Sequence, residues 1–244
     1  NGYRGLMNAA FRPLSAGDVQ PIIRYGGTIL GTARCPEFHD KAARDEARRR
    51  LAQGRINGLI VIGGNGSLTG AQALGDPAEL GDQKLTVVGV PASIDNDVGL
   101  AGLSIGVDTA MNTIVDACDK IDDTATAHGR TFIVEVMGRD CGYLAMATSI
   151  AAGADVVLFR ESGKAEDAQV NDVAEAVLTA HQRPNRNRRV LVIMAEGARI
   201  GANLLKERVD ARLREAGLDS AETRVTVLGH VARGGRPSAF DRVL

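Results

Sequence analysis

Short aliphatic runs alternate with longer amphipathic stretches along most of this chain of 244 residues. Six runs read as strands: 58–62, 85–90, 131–136, 156–159, 190–194 and 225–228. Each is rich in Val, Ile or Leu and runs into Gly, Pro or a charged turn, as strands buried in a parallel sheet do. Between them the apolar positions switch to a helical period, which predicts helices over 40–53, about 105–121, 142–152, 166–181 and 202–216. In the first of these, Asp45/Arg49 and Glu46/Arg50 stand at the spacing that pairs charges on a solvated helix face, and Gly54 follows as a stop. A strand–helix alternation of this kind predicts an α/β fold with two lobes of largely parallel sheet flanked by helices. The chain length also lies where a single core gives way to two lobes.

Bulk properties narrow the function by exclusion. Apolar residues make up 44% of the chain, and no window approaches the roughly 20 consecutive apolar residues of a membrane helix. A formal net charge of −1 and the absence of Trp give no footprint for nucleic acid, so neither a nucleic-acid nor a membrane partner is expected. Cys35, Cys118 and Cys141 are odd in number and far apart, which suits a reducing, cytoplasmic setting rather than a disulfide framework. The basic stretch from Arg183 to Arg189 is the one strong charge run. It reads first as a solvated loop and second as part of an effector site. The chain opens at Asn1-Gly2-Tyr3 and stops at Asp241-Arg242-Val243-Leu244 in what reads as the start of a helix, so an internal fragment is expected.

In open α/β sheets ligands sit beyond the carboxyl ends of the strands. The unusual residues of this chain fall at those ends. Gly63-Gly64-Asn65-Gly66-Ser67 follows the first strand and precedes a helix, where backbone N–H groups approach a phosphate closely. Pro91-Ala92-Ser93-Ile94-Asp95-Asn96-Asp97 follows the second. Two carboxylates at i,i+2 allow one to face a reacting hydroxyl and the other a metal, while a capping turn is the structural alternative. Arg130 precedes the third strand, and Glu135-Val136-Met137-Gly138-Arg139 ends it. Glu196 follows the fifth, and Arg224, His230, Arg233, Gly234 and Gly235 surround the sixth. One such arginine reads as a surface ion pair. Four arginines, two Gly-rich turns and a carboxylate pair point together to phosphoryl transfer.

These motifs, with Gly26-Gly27-Thr28 and Thr32-Ala33-Arg34-Cys35-Pro36-Glu37-Phe38 ahead of them, resemble the successive motifs of the 6-phosphofructokinase family, in order and over essentially the whole chain. The resemblance implies phosphoryl transfer from ATP to the 1-hydroxyl of fructose 6-phosphate in glycolysis. It implies Asp95 as the proton acceptor, with Ser93 where Thr is usual. Tyr3, Arg34, Cys35, Gly64, Asn65, Gly66 and Ser67 would line the nucleotide, and Asn65 and Asp97 would face Mg2+. Met137, Gly138 and Arg139 would hold the sugar, Arg139 also stabilising charge on the transferring group. Glu196, His230 and Arg233 would complete that site. Arg130 and Arg224 would reach across from a neighbouring subunit of a homo-oligomer, a tetramer by resemblance.

The small residues Gly66 and Ala92 stand where pyrophosphate-dependent relatives carry Asp and Lys, which favours ATP as donor. The alternatives are a pyrophosphate-dependent phosphotransferase and a non-catalytic regulatory half; against the latter, Asp95 is present. Two departures stand out. Asn65 replaces the usual Asp, and the family's N-terminal phosphate turn precedes Asn1, so the piece alone is expected to be inactive. The expected lobes are residues 1–107 with 232–244 for nucleotide and 108–231 for sugar, enclosing a cleft shared by Asp95 and Arg139.

Overall fold

The computed structural model describes residues 1–183 and 188–244. Its contacts divide the chain into two compact units, one of Asn1–Ser93 with Asp97–Ile105, the other of Ile94–Asn96 with Gly106–Val243.

In the first unit, helix α1 (Gly2–Met7) is followed by a long stretch with few regular elements, then α2 (Lys41–Gln53), β1 (Gly58–Gly63), α3 (Asn65–Leu74) and β2 (Thr86–Pro91). The apolar stripe of α2 buries Ala47 and Leu51 against Leu6, Phe38, Leu74 and Leu85. Tyr3 stacks on Phe38 with ring centroids 3.9 Å apart. Strands β1 and β2 form a two-stranded parallel sheet, Gly58 opposite Thr86. Burial on both faces, expected of all six strands, does not hold here. Alternate residues of β1 are exposed, Ile60 at 67% and Ile62 at 64%, because α3 packs on one side of the sheet only among the described residues.

The second unit is built on a four-stranded parallel sheet ordered β4 (Val156–Leu158), β5 (Val190–Ala195), β3 (Thr131–Val136), β6 (Thr223–Val227). Its helices are α4 (Val107–His128), α5 (Tyr143–Ala151), α6 (Glu166–His181), α7 (Ala202–Glu215) and α8 (Ala239–Val243). Helices α6 and α7 close one face, where Val170, Val173, Val177, Leu205 and Val209 pack on Ile133, Val190, Val192 and Met194. Helix α4 contacts β3 and β5, helix α5 contacts β4 and β5, and every residue of β5 is buried.

Strand positions follow the hydrophobic runs closely; two boundaries do not. Helix α4 continues past the expected end near residue 121 to His128, because Gly129 in the left-handed region (φ 63°) supplies the stop and lets Arg130 N–H bond to Ala125 C=O. Strand β6 begins at Thr223, two residues early, drawn into the ladder opposite Thr131.

Residues 232 to 243, expected with the nucleotide lobe, group instead with the second unit. One carboxylate contributes to this. Asp241 is 8% exposed and accepts hydrogen bonds from the N–H groups of Gly106 and Thr109, both at 2.7 Å, and from the Thr109 hydroxyl. It caps α4 from a segment about 130 residues away in sequence, satisfying N–H groups that a helix start leaves without partners. No helix among the described residues is long and apolar enough to cross a membrane.

Candidate active site

In the first unit the Gly-rich loop turns from β1 into α3 with Gly64 as the N-cap. Close packing favours glycine at positions 63 and 64. A Cβ on Gly63 would lie 2.8 Å from the Ser67 side chain, and one on Gly64 would come within 3.3 Å of Ser93 Cβ. The Ala92 N–H donates to Gly63 C=O at 2.9 Å, which holds the ends of β1 and β2 side by side. Asn65 and Gly66 are exposed at the first turn of α3, whose N–H groups and dipole favour an anion. A Cβ on Gly66 would meet nothing within 4 Å.

Tyr3 supports this loop from below. Its hydroxyl donates to Ser67 C=O at 2.5 Å, its ring lies against Gly70, and burial pushes the phenol up to about 12. Arg34 is exposed, and Cys35 is half-buried with its thiol raised, chiefly by desolvation. Ser93 is half-buried and Asp97 exposed in the same unit. Between them Asp95 is half-buried and belongs to the second unit, and Asn96 after it takes the left-handed conformation at φ 52°.

The second unit gathers the sugar-site candidates at one edge of its parallel sheet. Met137-Gly138-Arg139 leaves β3, Glu196 leaves β5, and His230 and Arg233 lie on the turn Gly229–Arg233 after β6. The ladder continues into these turns, with Glu196 N–H on Val136 C=O at 2.8 Å and Leu228 N–H on Glu135 C=O at 3.0 Å. Arg139 has φ 44°, rare for a residue with a side chain, and its N–H donates to Glu196 Oε1 at 3.0 Å. Gly138 before it has φ 140°, and a Cβ there would fall 2.4 Å from Cys141 C=O. A Cβ on Gly197 would lie 1.6 Å from Arg139 C=O, so this turn docks on bare backbone. Arg233 Nε donates to Met137 Sδ at 3.2 Å, joining the β6 turn to the buried end of β3. Arg139, Glu196, His230 and Arg233 are exposed, with polar groups available to a ligand.

Arg130 and Arg224 are elsewhere. They stand at the amino-terminal ends of β3 and β6, at the opposite edge of the sheet, and both pair with Glu222. Sequence reasoning did not single out Glu222, Asp241 or Gly197. For Glu222 a signal existed, since Glu222-Thr223-Arg224 places opposite charges on one face of a strand start.

Of the basic run from Arg183 to Arg189, residues 184–187 lie outside the described residues. Arg183 and Arg189 both pair with Asp155, and Arg189 also with Asp122. Asp155 and Arg183 line a cavity of about 500 Å³ with Lys164, Asp172 and Glu175. Among the described residues no three His, Cys, Asp or Glu side chains gather as a metal cage.

The family model for phosphofructokinase matches residues 1–244. The chain is 45% identical to the ATP-dependent 6-phosphofructokinase of Bacillus pumilus and to that of Natranaerobius thermophilus, in each case over 244 residues, all of this chain and 70% of the relative. Among solved structures, Pichia pastoris phosphofructokinase in the T-state superposes with a TM-score of 0.86 at 38% identity, covering 100% of this chain and 27% of that one.

Proposed function

The chain belongs to the phosphofructokinase family, and from that premise we propose that the protein transfers a phosphoryl group from ATP to the 1-hydroxyl of fructose 6-phosphate. The observation that carries this reading is the shared sheet edge: Arg139 on its Glu196-bound turn, with Arg233 tied to Met137 beside it. Three parallel strands deliver a guanidinium pair, a carboxylate and an imidazole to one edge, the equipment for a phosphorylated polyol.

In this reading Asp95 accepts the proton of the 1-hydroxyl as the oxygen attacks the γ-phosphorus, and Arg139 offsets the charge that grows on the transferring group. Glu196 and His230 orient sugar hydroxyls, and Arg233 completes the sugar side with Met137 and Gly138. Phosphoryl transfer needs little covalent help from the protein, so positioning and charge carry most of the acceleration. On the nucleotide side Gly64, Asn65, Gly66 and Ser67 lay the α3 N-terminus against the phosphates, with Tyr3 bracing the loop and Arg34 and Cys35 beside the nucleoside. The unobstructed space at Gly66 supports ATP over pyrophosphate as donor.

Mg2+ fits the donor set. Asn65 and Asp97 offer exposed side-chain oxygens, the ligand type of a hard cation that enters with the phosphates and keeps most of its waters. Bound there, the ion would neutralise negative charge on the phosphates being transferred.

The homo-oligomer, a tetramer by resemblance, gains support from the strand geometry. Arg130 and Arg139 flank a six-residue strand, and at about 3.3 Å per residue its ends are roughly 20 Å apart. One sugar phosphate does not bridge both ends, which fits the reading, carried by the resemblance, that Arg130 and Arg224 serve a site on a neighbouring copy. A cytoplasmic location follows from the glycolytic role.

The test is a coupled assay on the full protein with fructose 6-phosphate and either ATP or pyrophosphate. Turnover with ATP is expected. Turnover with pyrophosphate alone would replace the donor, and turnover with neither would return the chain to a binding role.

A further inference from the structure

The cluster that the catalytic reading does not use is the carboxylate between Arg130 and Arg224. Register explains why it forms. Thr131 pairs with Thr223, so Arg130 and Glu222 stand opposite each other one position before the ladder, and Arg224 lies on the same face as Glu222, two residues on. The neighbouring Thr131 and Thr223 are 2% and 4% exposed, and the alternation of the strands leaves the charged trio on the opposite face.

The backbone beneath the trio is fixed. Arg130 N–H bonds to Ala125 C=O at 3.0 Å, Arg130 C=O accepts from Val190 N–H at 3.2 Å, and Glu222 C=O accepts from Thr131 N–H at 3.0 Å. Only the side chains are left to set where the two guanidiniums point. Arg130 reaches Glu222 Oε2 through Nε, and Arg224 reaches Oε1 through one terminal nitrogen. Each oxygen of the carboxylate therefore takes one arginine.

Two neighbouring cations repel and swing apart unless something anchors them. An exposed ion pair contributes little to stability, so the use of this one lies in orientation. The carboxylate offsets one of the two positive charges and leaves the cluster a net cation. Hydrogen bonds from both arginines, that of Arg130 foremost, lower the Glu222 carboxyl from its ordinary value.

We propose that Glu222 is the positioning residue of a two-arginine clamp for the phosphate of the sugar substrate, holding Arg130 and Arg224 side by side in the geometry that the phosphate takes up. This rests on the fructose 6-phosphate reading given above and adds to it a residue that acts only through the two arginines.

The test measures full-protein kinetics at saturating ATP while fructose 6-phosphate is varied. Wild-type turnover is established first, so that failure of the parent reading shows at that step. With turnover in hand, Glu222→Ala is expected to raise KM for fructose 6-phosphate about tenfold, the scale of one lost charge-assisted contact, with kcat and KM for ATP unchanged. Glu222→Gln, which keeps an oxygen acceptor and the shape, is expected to recover part of that loss and serves as the variant should the alanine protein fold poorly. In the double variant with Arg130→Ala, the Glu222 substitution is expected to add little, since its partner is gone. A KM that is unchanged or lower in both Glu222 variants, or full additivity with Arg130→Ala, overturns the clamp while leaving the parent reading intact.

Discussion

Glu196 and Arg139 are joined through the backbone: Oε1 of the carboxylate accepts the Arg139 N–H at 3.0 Å, where the Arg139 backbone sits in the left-handed region. A non-glycine residue there is strained and persists only when its surroundings hold it. The carboxylate thus fixes the backbone from which the guanidinium projects and, in the proposed reading, also offers an acceptor to the sugar. Glu196→Ala is expected to lower kcat/KM for fructose 6-phosphate by roughly 10- to 100-fold, the range for a lost hydrogen bond to a charged group. Glu196→Gln is expected to lose less, because its amide oxygen still accepts from Arg139. Steady-state kinetics with sugar phosphate varied at saturating ATP separates the two; equal losses would detach Arg139 from this role of Glu196.

Asp95→Asn removes the proposed proton acceptor and keeps the shape of the side chain. Turnover should fall by roughly 10²–10⁴, as is usual when an acid–base group is lost. Binding of fructose 6-phosphate, followed by calorimetry, should remain close to wild type. A variant with near-normal turnover would show that the proton leaves by another route.

The capping of α4 by Asp241 predicts a stability effect at a residue with no part in the chemistry. Its buried carboxylate takes the N–H groups of Gly106 and Thr109. Asp241→Ala leaves both donors without a partner, at a cost of about 1–3 kcal/mol for each group that water does not reach. Chemical denaturation is expected to show that loss, and Asp241→Asn, which keeps an acceptor, should show less of it.

Much of this fold is legible in the order of apolar residues, because strands buried in a parallel sheet are made mostly of apolar side chains. The strand from 131 to 136 and the helix from 166 to 181 are found where the pattern puts them. What escapes the pattern depends on partners remote in sequence. The pattern places the helix over about 105–121, yet α4 continues through Asp122-Asp123-Thr124 to the left-handed Gly129. The grouping of residues 232 to 243 goes with contacts far back along the chain, among them one carboxylate meeting a helix start. The site behaves likewise. That Arg139, Glu196 and Arg233 share an edge follows from strand-end logic, whereas the bond of Glu196 to a backbone N–H, and of Glu222 to two arginines, needs the register.

An acid-sensitive contribution to stability is expected from Glu79. Hydrogen bonds from Arg44 and then Arg48 bring its carboxyl down from 4.5 to about 2. Arg48 is buried and also donates to the Leu74 and Ala73 carbonyls, so the network ties α2 to the end of α3. Because the folded value is depressed, the stabilisation is full above the unfolded value near 4.5 and is lost as pH falls toward about 2. Urea midpoints measured across that window should fall for the wild type, with a shallower fall for Glu79→Gln. Asp45 and Glu222 are lowered too and act in the same direction, so the difference between the two curves is the readout. Parallel curves would remove Glu79 from the account.

The choice of donor is testable at Gly66. Its Cβ position is open, its φ lies outside the left-handed region, and it stands at the second residue of α3. A side chain fits there without strain in the fold, and an acidic one near a helix N-terminus is favourable to the helix itself. Any loss in Gly66→Asp must then come from the space and charge beside the loop. A carboxylate placed there meets the negative phosphates of the nucleotide where the helix dipole would otherwise attract them. The expected result is a KM for ATP raised about tenfold or more, equivalent to roughly 1.4 kcal/mol or above, with thermal stability and KM for fructose 6-phosphate near wild type. An unchanged KM for ATP in a well-folded variant would mean that the nucleotide phosphates do not lie against the start of α3, and the Gly-rich turn would return to a purely structural role.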